Sequence, residues 1–253
     1  MKKIISVFLF VIIITSIYAK TDVVLTRTHI WPRLSLSGKI SNQGFGYLLN
    51  FGSRYNLALS KEVNGTEMSN DSQEAWLQEL WMGVSYKNKL SDNLTYTGKL
   101  IYRPRFFYVD NVGADAYTLQ TFSNHNIFNY KFNKKYSLQY RLIFWDSLEN
   151  TDASQNAEFY SRHLLGLGYN ISKKIALNLK GEVILKHTVQ EEDGEELLFV
   201  KYFYLGGVYK LNKKSGIKVF LINSIKNAIN TDTMQKTVKD YYIELTYFYK
   251  LNF

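Results

Sequence analysis

The run Tyr241 to Phe253 constrains this chain more than any other segment. Counted back by twos from its end, Phe253, Leu251, Tyr249, Tyr247, Leu245, Ile243 and Tyr241 are all apolar or aromatic. The alternate positions, Asn252, Lys250, Phe248, Thr246, Glu244 and Tyr242, are mostly polar. A period of two marks a β-strand with one oily and one wet face. Roughly ten such residues with aromatics at the ends are enough for a tilted strand to cross a bilayer. An amphipathic edge strand of a soluble sheet would carry the same pattern, so the rest of the chain has to decide.

The opposite end reads as an export signal. Lys2 and Lys3 precede an apolar run from Ile4 to Ile14, and Ile17-Tyr18-Ala19 ends on a small residue. This layout predicts a signal peptide over residues 1–19, cleaved after Ala19, and one domain over 20–253. A retained N-terminal anchor is the competing reading, but the apolar run is short for a spanning helix of about twenty residues. No later run reaches helical spanning length. Only helices and closed barrels satisfy every backbone group in lipid, so a membrane-embedded mature chain is expected to be a barrel.

Composition supports strands. Aromatic residues reach 16%, with 20 Tyr and 16 Phe, high for a soluble domain and ordinary for a barrel girdled by aromatic side chains. Hydrophobic content is 46% yet mean hydropathy is only −0.21, as alternation requires. Two prolines leave the strands unbroken, and the absence of cysteine excludes disulfides, thiol chemistry and a lipoprotein anchor.

Polar turns punctuate the apolar runs at Lys87-Asn88-Lys89, Phe132 to Lys135, Asn170 to Lys174 and Leu211 to Gly216. Longer connections alternate with them: Ser60 to Ala75, Val109 to Ala116, Asp146 to Ala157, Thr188 to Glu196, and Lys226 to Asp240. The short turns are basic and most of the long connections acidic. Strands are predicted near Arg33–Ile40, Tyr47–Leu59, Trp76–Tyr86, Leu94–Arg105, Tyr117–Tyr130, Tyr136–Trp145, Glu158–Tyr169, Ile175–His187, Leu197–Tyr209, Ile217–Ile225 and Tyr241–Phe253. That is eleven, and the weak segment Asp22–Thr28 is expected to supply a twelfth, because bacterial single-chain barrels have even strand numbers. Ten is the alternative.

With its terminal aromatic, the last strand resembles the closing strand of Gram-negative outer-membrane β-barrels. The resemblance implies an all-β, antiparallel, up-and-down transmembrane barrel. It also implies that Tyr247, Tyr249, Leu251 and Phe253 form a signal read by the barrel-assembly machinery. The implied location is the outer membrane, the implied partners are outer-membrane lipid and that machinery, and the implied state is a monomer, with short turns periplasmic and long loops outside.

Function must sit on the polar parity, which faces the lumen. On Leu94–Arg105 it holds Thr95, Thr97, Lys99, Ile101, Arg103 and Arg105; on Tyr136–Trp145, Ser137, Gln139 and Arg141. On Ile175–His187 it holds Ala176, Asn178, Lys180, Glu182, Ile184 and Lys186. Arg33, Lys39, Arg54, Arg162, Lys201, Lys218 and Lys250 are expected inside too, against the acids Glu79, Glu182 and Glu244. Loss of Lys2 and Lys3 leaves 29 basic residues against 22 acids, a net charge of +7. Lys99, Arg103, Arg141, Arg162, Lys180, Glu182 and Lys186 are therefore the expected selectivity residues of a basic lumen that favours small anionic solutes. In architecture and charge the chain resembles twelve-stranded monomeric porins for acidic oligosaccharides, and equally small outer-membrane barrel families of unknown function. A non-conducting structural or adhesive barrel is the alternative, and a lipid-modifying hydrolase the second.

Enzyme chemistry finds little support. Of the four histidines, His29, His125, His163 and His187, the best local candidate is in Ser123-Asn124-His125-Asn126, which has no carboxylate nearby. No zinc, phosphate-loop or dinucleotide motif occurs, so no catalytic residue, metal or cofactor is assigned. The acidic run Glu191, Glu192, Asp193, Glu195 and Glu196 matches no calcium-loop spacing and reads as a solvated loop. Export argues against a nucleic-acid partner despite the basic charge.

Deleting Phe253, or replacing it by Asp, is expected to reduce the assembled fraction in membranes, since a lipid-facing charge costs up to about 2–4 kcal/mol depending on depth. Heat-modifiable migration of membrane extracts measures it; normal assembly of both variants would remove the role assigned to this terminus.

Overall fold

In the computed structural model, residues 23–251 are described except 64–65, 69–74, 110–116, 150–157, 187–194 and 231–234. They form twelve strands: β1 (Val23–Lys39), β2 (Phe45–Val63), β3 (Thr66–Met68), β4 (Ala75–Lys89), β5 (Leu94–Val109), β6 (Tyr117–Lys131), β7 (Tyr136–Glu149), β8 (Glu158–Asn170), β9 (Ile175–Lys186), β10 (Glu195–Lys210), β11 (Ser215–Asn230) and β12 (Gln235–Leu251). Eleven of them make one closed barrel, each paired with its neighbour and β12 returning to β1. The three-residue β3 pairs only with the end of β2 and lies outside the wall.

A repeated four-residue turn sets the hairpins at one end. Leu90-Ser91-Asp92-Asn93, Phe132-Asn133-Lys134-Lys135, Ile171-Ser172-Lys173-Lys174 and Leu211-Asn212-Lys213-Lys214 share an apolar residue followed by Asn or Ser. The Asn133 Oδ1 accepts from the amides of Lys135 and Tyr136 at 2.8 and 2.9 Å, and Asn212 Oδ1 from those of Lys214 and Ser215 at 2.7 and 2.9 Å. Ser172 does the same for Lys174 and Ile175. These side chains satisfy donors that the reversing backbone leaves free. The β1–β2 turn differs: Gly44 has φ 93°, and a Cβ there would strike the Lys87 carbonyl.

The expected twelfth strand does not exist. Of the segment expected over Asp22–Thr28, Val23–Thr28 forms the first part of β1, one strand with the Arg33–Lys39 stretch, so among the described residues the wall has eleven strands and not twelve or ten. An odd up-and-down count makes the first and last strands run the same way, and β1 and β12 accordingly pair in parallel from Val23↔Lys236 to Gly38↔Leu251. Strands also extend further than expected toward the long connections. β11 reaches Asn230 and β12 begins at Gln235, so most of the loop expected over Lys226–Asp240 is strand. At the other end β4 continues through Lys89, and the turn is 90–93. Of the acidic run, Glu195 and Glu196 open β10, and Glu191, Glu192 and Asp193 lie outside the described residues.

The outward parity is what a bilayer demands. Leu34, Phe51, Val84, Leu100, Phe122, Phe144, Tyr169, Leu177, Leu205, Leu221 and Leu245, one on each wall strand, are exposed. An apolar belt that encircles a protein is untenable in water and favourable in hydrocarbon. Exposed aromatics rim the short-turn end in contacting pairs: Phe45–Tyr86, Tyr130–Phe132 and Tyr136–Tyr169, with centroids 5.0 to 5.1 Å apart.

The parallel seam is testable because the chain lacks cysteine. Leu34 and Tyr247 face each other across it. Leu34→Cys with Tyr247→Cys is expected to form an intramolecular disulfide on mild oxidation, and Leu34→Cys with Ile243→Cys to form none. Gel mobility of the heated protein with and without reductant reads the result; a disulfide only in the second pair would refute the register.

Candidate functional site: the barrel lumen

Period-two geometry sends one parity of every strand inward, and the inward set here is ionic and aromatic. Three of its carboxylates are sealed, and the fourth, Glu244, is half-buried beside Arg33. Glu79, Glu182 and Asp240 are exposed by 3%, 2% and 0%. Glu79 accepts from Arg103 Nη2 at 2.6 Å and Trp81 Nε1 at 2.8 Å, and Arg54 lies 3.5 Å away. Glu182 accepts from Arg162 at 2.7 Å, Arg141 at 3.2 Å and the Tyr204 hydroxyl. Asp240 accepts from Arg27 at 2.6 and 3.1 Å and from the Tyr242 hydroxyl at 3.0 Å, with His29 at 3.6 Å. Each acid joins strands that are not adjacent in sequence.

A stack of alternating cations and rings runs across β5, β4, β1, β2 and β12. Arg103 lies 4.4 Å from the Trp81 ring, Arg33 is held between Trp81 and Trp31 at 4.6 and 4.5 Å, and Arg54 between Trp31 and Tyr242 at 4.6 and 4.9 Å. His29 closes it by stacking on Tyr242 at 4.7 Å. Desolvated cation–ring contacts contribute about 2 kcal/mol or more each, so a run of five fixes these side chains against one another. It needs room: a Cβ on Gly52 would lie 3.0 Å from Trp31 Nε1 and 3.2 Å from the Arg33 stem. Opposite the stack, inward Ile101, Ile143, Leu164, Ile184, Phe220 and Ile222 are all buried, so the middle of the lumen is packed.

Toward the short turns the lumen changes character. Lys99, Lys180 and Lys218 face inward and are partly exposed, and none has a carboxylate in ion-pair range among the described residues. Lys180 lies over the Phe220 ring at 4.7 Å and Lys218 over Phe248 at 5.2 Å. Solvent entering from that end meets these ammonium groups first, and beyond them Glu244, which is bound by Arg33 at 3.3 Å.

The residues expected from the sequence divide as follows. Lys99, Arg103, Arg141, Arg162, Lys180 and Glu182 all face inward; Arg103, Arg141 and Arg162 are bound to acids, and Lys99 and Lys180 are not. The Lys186 side chain and Phe253 lie outside the described residues, and Tyr247, Tyr249 and Leu251 fall on the outward parity of β12. Lys201, expected inside, points outward with Phe203 and Leu205, because Tyr202 and Tyr204 take the inner parity of β10. The run Ser123 to Asn126 splits between faces: Ser123 and His125 point inward, 3.0 Å apart, while Asn124 and Asn126 point outward. The sequence pattern does not single out Asp240, Arg27, Trp31, Trp81 or Tyr204. It places Asp240 in a loop and Arg27 in a separate strand, whereas Trp31 and Trp81 sit two residues from Arg33 and Glu79 and share their inward parity.

No family model matches the chain, and no protein of curated function matches it. Among solved structures it is similar to the NanC porin in a rhombohedral crystal form, at 9% identity and a TM-score of 0.40, over 77% of this chain and 86% of that one. At that distance the lumen is read from its own residues.

Removing one partner of a buried pair strands the other charge, at a cost of about 3–5 kcal/mol. Glu182→Gln is expected to lower the unfolding midpoint of the barrel in lipid markedly, whereas Asp92→Asn, which breaks the exposed 2.6 Å pair with Lys89, should leave it unchanged. Temperature-dependent gel mobility compares the two; equal midpoints would show that the Glu182 cluster is not structural.

Proposed function

We propose that this protein is an outer-membrane channel, exported by its N-terminal signal, that passes small anionic solutes through a narrow basic lumen. One observation carries the reading: every strongly buried lumen carboxylate is already bound by arginine, whereas Lys99, Lys180 and Lys218, partly exposed toward the short turns, have no ion pair among the described residues. In a wet space with low-dielectric walls, unpaired cations of one sign raise local anion concentration and oppose cations. The apolar outer belt and the aromatic rim support residence in a bilayer. The lysines of the short turns and the mouth, among them Lys134, Lys135, Lys213 and Lys214, extend the positive potential beyond the wall.

The packed middle favours a second reading, a barrel whose interior is wholly structural. The two part in a planar bilayer. The purified protein is expected to conduct, with a reversal potential on the anion side that fades between 0.1 and 1 M salt as the screening length falls from about 10 to about 3 Å. Lys180→Glu with Lys218→Glu is expected to move the reversal potential toward cations. Absence of conductance at every voltage would favour the structural barrel, and cation preference in the unaltered protein would refute the role of the lysines.

A further inference from the structure

The rim formed by the short turns carries its charge unevenly. Three successive turns, 132–135, 171–174 and 211–214, each end in a pair of lysines and hold no acid. The other two short turns differ. Turn 90–93 carries Asp92, which Lys89 binds at 2.6 Å, and turn 40–44 has no charged residue. Lys39, Lys87, Lys131, Lys210 and Lys250 lie on the inward parity of their strands, at the mouth of the lumen. The paired lysines, Lys134, Lys135, Lys173, Lys174, Lys213 and Lys214, sit beyond the strands and are exposed. Among the described residues none of the six has an ion pair, and Asp92 is the one carboxylate of this rim.

These lysine side chains do not hold the turns together. Asn133, Ser172 and Asn212 close them, and backbone bonds tie each turn to the strand that follows its hairpin. The amides of Asn170, Lys210 and Lys250 donate to the carbonyls of Lys135, Lys174 and Lys214, each at 2.8 Å. The three turns therefore form one fixed arc over β6–β11. Neighbouring turns are two strands apart, about 10–13 Å at ordinary strand spacing and tilt. The arc presents its six ammonium groups along roughly 20–25 Å of rim.

The height of the arc on the wall decides what meets it. Lys135 adjoins Tyr136, which stacks on Tyr169 at 5.1 Å in the outward aromatic rim. Phe132, which opens the same turn, packs edge-on against outward Tyr130 at 5.1 Å, and Ile171 and Leu211 in the equivalent places are exposed. Aromatic girdles lie at the level of the lipid headgroups. A lysine a few residues beyond the girdle can lay its stem along the interface and put its ammonium among the phosphates. We infer that this arc is a docking strip for anionic phospholipid headgroups in the leaflet that meets the short turns. A water-soluble polyanion would be drawn by the same charge, but it would gain nothing from the apolar residue that opens each turn. The inference rests on residence of the barrel in a bilayer and not on conduction.

Spin-labelled phosphatidylglycerol and phosphatidylcholine, each added to the purified protein in phosphatidylcholine liposomes, test the strip. The fraction of label immobilised at the protein surface gives the preference between the two lipids. Phosphatidylglycerol is expected to be favoured about fivefold at 0.1 M salt, the factor that one lysine near an anionic surface supplies. The preference is expected to fade at 1 M, as the screening length falls from about 10 to about 3 Å. Replacing all six lysines by Gln should abolish it, with heat-modifiable migration showing that the variant is folded. Lys201→Gln with Lys239→Gln, two outward lysines toward the long connections, is the comparison and should leave most of the preference. Equal association of the two lipids with the unaltered protein would overturn the strip, as would a preference that survives 1 M salt or loss of the six lysines. A preference abolished by the Lys201 and Lys239 changes would do the same. Binding of dextran sulfate to the protein in phosphatidylcholine alone, without any preference for phosphatidylglycerol, would assign the arc to a water-soluble partner instead.

Discussion

Closure is the constraint on which the rest of this structure depends. In hydrocarbon no water can satisfy a free strand edge, so β1 and β12 must meet. With eleven strands in the wall they can meet only in parallel, the single such pair in an otherwise antiparallel barrel. Parallel pairing is slightly weaker per residue. The side chains inside the seam answer that weakness: Arg27 reaches from β1 to Asp240, Arg33 to Glu244 at 3.3 Å, and His29 stacks on Tyr242. The same strand carries Trp31, which anchors Arg54 of β2, so β1 is tied to both its neighbours through the lumen as well as through its backbone.

The lumen follows from this arrangement. Arginines buried against carboxylates are expensive to create and more expensive to break, because the desolvation of each ion is recovered only through its partner. Three acids shared among several arginines on different strands give a barrel interior that resists ovalisation. Stacked indoles take up the guanidinium faces that hydrogen bonds leave bare. Once the acids are bound in this way, the remaining ammonium groups dominate the potential of the lysine-bearing side. In the proposed channel, structure and selectivity would draw on one pool of charge, and Arg141, bound to Glu182, would belong to both.

The outer surface shows the converse economy. Lipid tolerates polar atoms only when they bond one another, and the Tyr96–Asn126–Asn124 and Tyr140–His163–Ser161 groups obey that rule inside the wall. The aromatic rim and the Asn- or Ser-capped turns fix the depth at which the wall sits. Each turn begins with an exposed apolar residue, Leu90, Phe132, Ile171 or Leu211, that stays on the lipid side of the reversal.

Alternation alone determined much of this protein. A period of two, read from Tyr241–Phe253 and repeated along the chain, dictates strands, assigns faces and so predicts that Lys99, Arg103, Arg141, Lys180 and Glu182 point inward, because a strand has only two sides. It also dictates a barrel, since amphipathic strands without helices have no other way to live in lipid. What it could not decide depends on contacts between distant strands. Whether Asp22–Thr28 was a strand or half of one turned on its pairing with β12 more than two hundred residues away. The inward place of Asp240 depended on how far β12 runs past the bilayer, and that of Tyr202 and Tyr204 on which of two apolar parities the acid Glu182 would recruit. Partner choice was equally hidden: Arg103 and Lys99 look alike in sequence, but only the fold places Glu79 against one and leaves the other unpaired.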